Sequence, residues 1–213
     1  MILLSSWSGG KDSCFALMKA IEQGGEVVVL LNMMNENGKI SRSHGIPLEL
    51  LQQQASKIGV PLKTCQATWA NYEVKFIETL QNLAVKHKIN TAVFGDIDIQ
   101  AHRDWEEKVC QASSLNAYLP LWQGYRKQLV IDMINAGIKA VIVSCNTQLG
   151  KDFLGRQINF ELLEELESLG IDCCGENGEY HTLVTDCPLF KSPLTLPKYK
   201  KVQHENYCFI DWD

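Results

Sequence analysis

The chain reads as an α/β protein: a doubly wound, parallel, Rossmann-like sheet followed by a smaller C-terminal α/β domain. Three observations predict this. Short apolar runs alternate with amphipathic stretches through the first two thirds of the 213 residues, the pattern of crossovers that winds a parallel sheet. The run EVVVLLNMM at residues 26–34 is apolar almost throughout, as a parallel strand covered on both faces requires. A glycine loop, SGGKDS, stands between the first apolar run and the first amphipathic stretch, at the strand ends where open α/β sheets bind ligands.

Residues 2–6 supply the first strand. Cys14, Leu17, Met18 and Ile21 then fall at i, i+3, i+4 and i+7, one face of a helix that Gly24-Gly25 ends. Residues 26–34 form the second strand, and a loop covers 35–46. Pro47 opens a helix with Leu48, Leu51, Ala55 and Ile58 inward. PLKTCQA is the third strand, and Phe76, Leu80 and Leu83 mark the third helix. TAVFGDI, residues 91–97, is the fourth strand and ends in Gly-Asp. Trp105, Val109 and Ala112 mark the fourth helix; YLPLW, residues 118–122, is a short fifth strand. Beyond it come a helix over 125–136, the strand IKAVIVS and a helix face of Leu162, Leu163, Leu166 and Leu169. The boundary is placed near Gly124, giving domains 1–124 and 125–213.

Composition narrows the function. The chain is 46% hydrophobic and 21% charged, with a net charge of -5. That is ordinary globular composition and gives no general attraction for nucleic acid. No apolar stretch reaches the roughly 20 residues needed to cross a bilayer. Met1-Ile2-Leu3-Leu4 runs into the glycine loop without a basic leader, so a cytoplasmic location is expected. The eight cysteines include no Cys-x-x-Cys pair, and buried thiols are the expectation, Cys173-Cys174 included.

The loop at Ser8, Gly9, Gly10, Lys11, Asp12 and Ser13 is neither a Walker A loop, since Asp12 follows Gly10-Lys11, nor a Gly-x-Gly-x-x-Gly fingerprint. Its mechanics still fit an anion. Glycines admit backbone N–H groups close to it, a helix N-terminus points at it, and two serines add donors. The loop resembles the PP-loop of the N-type ATP pyrophosphatases, in the adenine nucleotide α-hydrolase-like (HUP-type) superfamily, whose Ser-Gly-Gly-x-Asp-Ser signature it matches. The resemblance implies a site for the pyrophosphate part of ATP. Two roles are open for Asp12: a share in holding Mg²⁺, or capping the first helical turn.

A second dense stretch, CCGENGEYHTLV, covers residues 173–184. Together with SWSGGKDS, GDI, HRDWEEKVC and PLW, its GENGEYHT resembles the diphthine–ammonia ligase family, in order and over nearly the whole chain. The eukaryotic members' added C-terminal domains have no counterpart before Asp213. The resemblance implies an ATP-dependent carboxylate–ammonia ligase forming AMP and pyrophosphate, with ATP, Mg²⁺ and ammonia as ligands and diphthine on elongation factor 2 as the acid. In a cell without diphthine the acid must be another. A homodimer is compatible with it, and neither membrane nor nucleic acid is an expected partner. A tRNA-modifying PP-loop enzyme and a non-catalytic nucleotide-binding module are the rival readings.

Site expectations follow. Lys11, Asp12, Glu179 and His181 are the catalytic candidates, with Glu179 taking the proton that ammonia must lose. Asn32, Gly95 and Asp96 join the loop as nucleotide-binding candidates, although Asn32 also reads as a satisfied core amide and Gly95-Asp96 as a tight turn. His44, His102, Glu106, Arg156, Glu176, Asn177, Gly178, Glu179 and Thr182 are the substrate-binding candidates. For Arg156 a surface ion pair reads equally well.

Overall fold

A computed structural model describes residues 1–212. Strand β1 (Ile2–Ser6) leads through the glycine loop into helix α1 (Lys11–Glu22), then β2 (Glu26–Met34), α2 (Leu48–Ile58), β3 (Leu62–Gln66), α3 (Tyr72–His87), β4 (Thr91–Val93), α4 (Gln100–Ala112) and β5 (Asn116–Tyr118). The five strands pair in parallel in the order β3-β2-β1-β4-β5. Strand order reverses between β1 and β4, so the glycine loop and Gly95-Asp96 both emerge at the switch point.

Next come α5 (Arg126–Asn135), β6 (Lys139–Asn146), a 3-10 turn (Lys151–Phe153), α6 (Phe160–Ser168), β7 (Tyr180–Asp186), β8 (Tyr199–His204) and β9 (Tyr207–Trp212). Their strands form a smaller antiparallel sheet, β7-β6-β9-β8.

The two sheets share a core. One apolar cluster runs from Leu3, Phe15, Leu17 and Leu30 to Val143, Leu183 and Val184. A second, on the other face of the parallel sheet, gathers Leu4, Val29, Leu31, Phe76, Leu80 and Val109. Leu3 and Leu4 thus serve opposite faces, the period-two rule of a strand buried on both sides. Helix α1 lies between β1 and β7 and buries Cys14, Phe15, Ala16, Leu17, Met18 and Ala20. A helix that is apolar nearly all round is a buried one, so the single inward face read from its spacing is too narrow.

Several boundaries move. The fourth strand stops at Val93 instead of running to residue 97, because Phe94 onward forms the site turn. The fifth comprises Asn116–Tyr118, and residues 119–122 turn. In α2 the fully buried positions are Leu50, Leu51, Gln54 and Ala55, with Leu48 and Ile58 at the margin. Leu169 is exposed at the end of α6. All eight cysteines are free, and all but Cys65 are buried. Among the described residues no helix is long and apolar enough to cross a membrane.

Candidate active site

The loop between β1 and α1 turns on Gly9, whose φ of +86° is the left-handed region that glycine enters without strain. Gly10 N donates to Ser8 Oγ at 3.3 Å, and Ser13 Oγ donates to Gly10 O at 3.1 Å. Ser8 and Ser13 hydroxyls stand 3.0 Å apart. Gly95, from the turn after β4, passes so close that a Cβ there would lie 2.8 Å from Asp12 C and Ser13 N. Gly10 is the N-cap of α1 and no side-chain cap bond forms, so Asp12 is not the capping residue. Both Asp12 oxygens accept from Lys11 Nζ at 2.9 Å.

The second dense stretch reaches into this loop. Lys11 N donates to Thr182 Oγ1 at 3.0 Å, and Val184 N donates to Gly9 O at 2.9 Å. Lys11 Nζ donates to Cys174 O at 2.6 Å and lies 5.3 Å from the Tyr180 ring centre. Two turns of chain far apart in sequence therefore build one cavity of about 380 Å³, with Ser8, Lys11, Asp12, Asp96, Glu176 and His181 on its walls.

Its charges are unusual. Lys11 is buried, and burial opposes its charge. Asp12, then Tyr180, Cys174 and Glu176, outweigh that and hold the ammonium above the usual lysine range. Burial and the nearby charge of Asp12 push Glu176 up to about 7. Burial lowers His44 to about 4, with Lys11 adding to the effect. Burial, His44 and Lys11 lower His181 to about 3. The two imidazoles, 4.6 Å apart, are neutral at pH 7. His44 Nδ1 is 3.0 Å from Thr182 O; a carbonyl only accepts, so Nδ1 carries the hydrogen and Nε2 is left as an acceptor.

The chain matches the family described as Diphthamide synthase N-terminal domain over residues 1–117 and that described as Diphthamide synthase C-terminal domain over residues 126–213. It belongs to the diphthamide synthase family. Relatives named diphthine–ammonia ligase come from Schizosaccharomyces pombe (29% identical, covering 99% of this chain and 39% of that protein) and Mus musculus (28%, covering 95% and 85%). The chain thus spans well under half of the yeast protein and most of the mouse one. A solved structure from Methanocaldococcus jannaschii, titled as a predicted subunit of tRNA methyltransferase, covers 91% of this chain and all of its own, at a TM-score of 0.46 and 15% identity.

Within this diphthamide synthase fold the predicted residues divide. Ser8, Lys11, Asp12, Ser13, His44, Gly95, Asp96, His102, Glu176, Gly178, His181 and Thr182 line the cavity, with Gly9 and Gly10 forming the loop behind it. Glu179 does not line it. Its carboxylate turns back to accept from Asn177 N and Asn177 Nδ2, both at 3.0 Å. Glu179, the expected proton acceptor, thus points away from the cavity, and Glu176 is the glutamate on its wall. Asn177 is exposed, its Oδ1 accepting from Arg126 at 3.3 Å. Arg156 forks onto Glu165 away from the cavity and is a surface ion pair. Glu106 is off this cavity; it is buried and borders a neighbouring recess with Asp96, Ala101, His102 and Trp105. Asn32 Nδ2 donates to Trp7 O at 2.7 Å while its Oδ1 is buried without a donor. It faces a small recess beside the cavity with Ser41 and Arg42.

Sequence reasoning missed two organisers. Gln54 is fully buried; its Nε2 donates to Gly9 O at 3.0 Å and Val184 O at 2.8 Å, and its Oε1 accepts from Trp7 Nε1 at 2.9 Å. Arg126 binds both Asp98 oxygens at 2.7 Å and Asp172 Oδ2 at 2.6 Å. Asp172 in turn accepts from Cys174 N and Glu176 N and so shapes the turn that carries Glu176. Neither residue stands in a recognisable motif.

The oxygen-rich walls suit Mg²⁺, which takes one or two carboxylates together with phosphate and water. Asp12 is the fitting protein ligand. Among the described residues no cluster of three His, Cys, Asp or Glu forms a metal cage, so phosphate and water oxygens would have to supply most of the shell of a bound Mg²⁺.

Proposed function

We propose that the chain is an ATP-dependent amide ligase that joins ammonia to the carboxyl group of diphthine on elongation factor 2, forming AMP and pyrophosphate. Residues 1–124 then serve as the ATP-binding unit and 125–213 as the substrate unit. One observation carries the reading: the loop that suits pyrophosphate and the stretch at residues 175–182 wall a single cavity, joined by the Lys11 N to Thr182 Oγ1 bond of 3.0 Å. An activated acyl group and its nucleophile have to meet in one such place.

The acceptor carboxylate attacks the α-phosphorus, and pyrophosphate leaves into the loop. Ser8, Ser13, the α1 N-terminus and Lys11 stabilise the charge that builds there. One lysine faces the carboxyl groups of Asp12, Asp96 and Glu176, so the cavity is short of positive charge for a triphosphate. Mg²⁺ supplies the missing charge when bound. Ammonia then adds to the acyl carbon of the adenylate, its nitrogen becomes cationic, and Glu176 takes the proton as AMP departs. His44 and His181, both neutral, offer hydrogen bonds without adding charge.

The test uses ATP labelled at the α and γ positions with diphthine-bearing elongation factor 2 and ammonia. AMP and pyrophosphate should form in equal amounts with the amide, and Lys11→Ala should lower the rate on the order of 10²–10³-fold, as loss of a transition-state contact does. ADP and phosphate as products, or full turnover by Lys11→Ala, would overturn the reading.

A further inference from the structure

Behind the Asp96 wall stands a second carboxyl group without a cation. Glu106, on α4, is 4% exposed, and its Oε2 is buried with no donor reaching it. Its carboxyl group borders one recess with Asp96 and His102, and Asp96 Oδ1 accepts from His102 Nδ1 at 2.7 Å. The titratable groups facing Glu106 are Asp96 from the turn after β4, Glu107 and Cys110 from α4, and Tyr72 from α3; His102 lies beyond Asp96. Neither a lysine nor an arginine is among them. Two neighbouring carboxyl groups, with Glu106 buried and Asp96 partly exposed, cannot both ionise cheaply, and a hydrogen bond between them needs a proton on one.

We propose that Glu106 keeps its proton at neutral pH and donates it to Asp96, so that Asp96 meets the nucleotide cavity as a single negative charge held between two donors, Glu106 and His102. The proton sits on Glu106 and not on Asp96 because His102 favours the ionised form of Asp96 while Glu106 has only burial and other acids around it. The electrostatics agree. Burial, Asp96 and Glu107 push Glu106 up to about 11. Burial opposes the charge on Asp96, yet the His102 and Glu106 hydrogen bonds hold it below the usual range. The Asp96 bond raises His102. Glu106 does not line the nucleotide cavity; it borders a neighbouring recess with Asp96, Ala101, His102 and Trp105. It is a positioning residue, and the cavity sees only the carboxylate it fixes.

The inference rests on the ATP-cleaving reading for its kinetic arm alone. Infrared difference spectra of wild type against Glu106→Gln at neutral pH should show a lost carboxylic acid C=O band that shifts in heavy water. Loss of carboxylate bands instead would overturn the proposal, whatever the chain does with ATP. In the kinetic arm Glu106→Met removes the donor. ATP affinity measured by calorimetry should fall on the order of tenfold, and the acidic limb of pyrophosphate release should move to higher pH as Asp96 loses a donor. Glu106→Gln keeps a neutral donor of the same shape and should recover most of the loss. A Gln variant as impaired as the Met variant would mean that the charge on Glu106 was needed, and would overturn the proposal. The infrared arm stands even if Glu106→Met fails to fold.

Discussion

At the scale of single residues, the glutamates at 176 and 179 show how little separates a site from its support. Glu176 lines the cavity and is held near 7 by burial and by Asp12, whereas Glu179 is tied to Asn177. A base must be ionised to take a proton, so amide formation at saturating substrate should climb as pH rises through about 7. Glu176→Gln should lose both the climb and most of the rate while ATP binding stays near wild type. Glu179→Gln retains an acceptor for Asn177 and should change the rate little. Rapid-quench measurement of amide against pH for both variants checks this; equal damage from the two would sink the assignment. The sequence shows both glutamates in one motif, yet cannot tell them apart. The difference is made by the left-handed turns at Gly175 (φ +75°) and Gly178 (φ +84°), which aim one side chain inward and the other back along the chain. Residue types reveal that such a turn is permitted, not where it points its neighbours.

Among elements, the parallel sheet was legible because its central strands β1, β2 and β4 are largely buried on both faces and its helices carry apolar faces, signals that survive in one sequence. The β8–β9 hairpin was not. β8 is an edge strand with Lys200, Lys201, Gln203 and His204 exposed, so no apolar alternation marks it. The inward face of α2 was read from apolar residues only, which passes over Gln54. That residue joins α2, the glycine loop and β7. Gln54→Leu fits the space but leaves Trp7 Nε1 and Val184 O buried without a side-chain partner. Each orphaned group costs about 1–3 kcal/mol, so the variant should lose about 2–6 kcal/mol of unfolding free energy. Urea unfolding with an unchanged slope reads the loss directly. A loss under about 0.5 kcal/mol, the range of ordinary surface changes, would show that Gln54 is not the tie between these elements.

For the molecule as a whole, the two sheets complete each other. Thr182 receives the first backbone N–H of α1, Val184 donates to the glycine loop, and Arg126 joins Asp98 to Asp172. The apolar face of α1 at Cys14, Phe15, Leu17 and Met18 lies in the cluster that also holds Leu183 and Val184. Removing the second sheet would bare that face to water and strand the donors that shape the loop. Burial of a large apolar side chain contributes about 1.5–3 kcal/mol, so the four residues together outweigh much of the roughly 5–15 kcal/mol that keeps a domain folded. The whole chain should therefore unfold in one transition, with calorimetric and van't Hoff enthalpies equal, and ATP present at 100 times its dissociation constant should add about 2.7 kcal/mol to that single step. A fragment of residues 1–124 should neither unfold cooperatively nor bind ATP. Two resolved transitions in the whole chain, or a fragment with native near-ultraviolet dichroism and wild-type ATP affinity, would mean that the parallel sheet holds its nucleotide loop unaided. The join at Thr182 would then be a feature of the substrate unit alone.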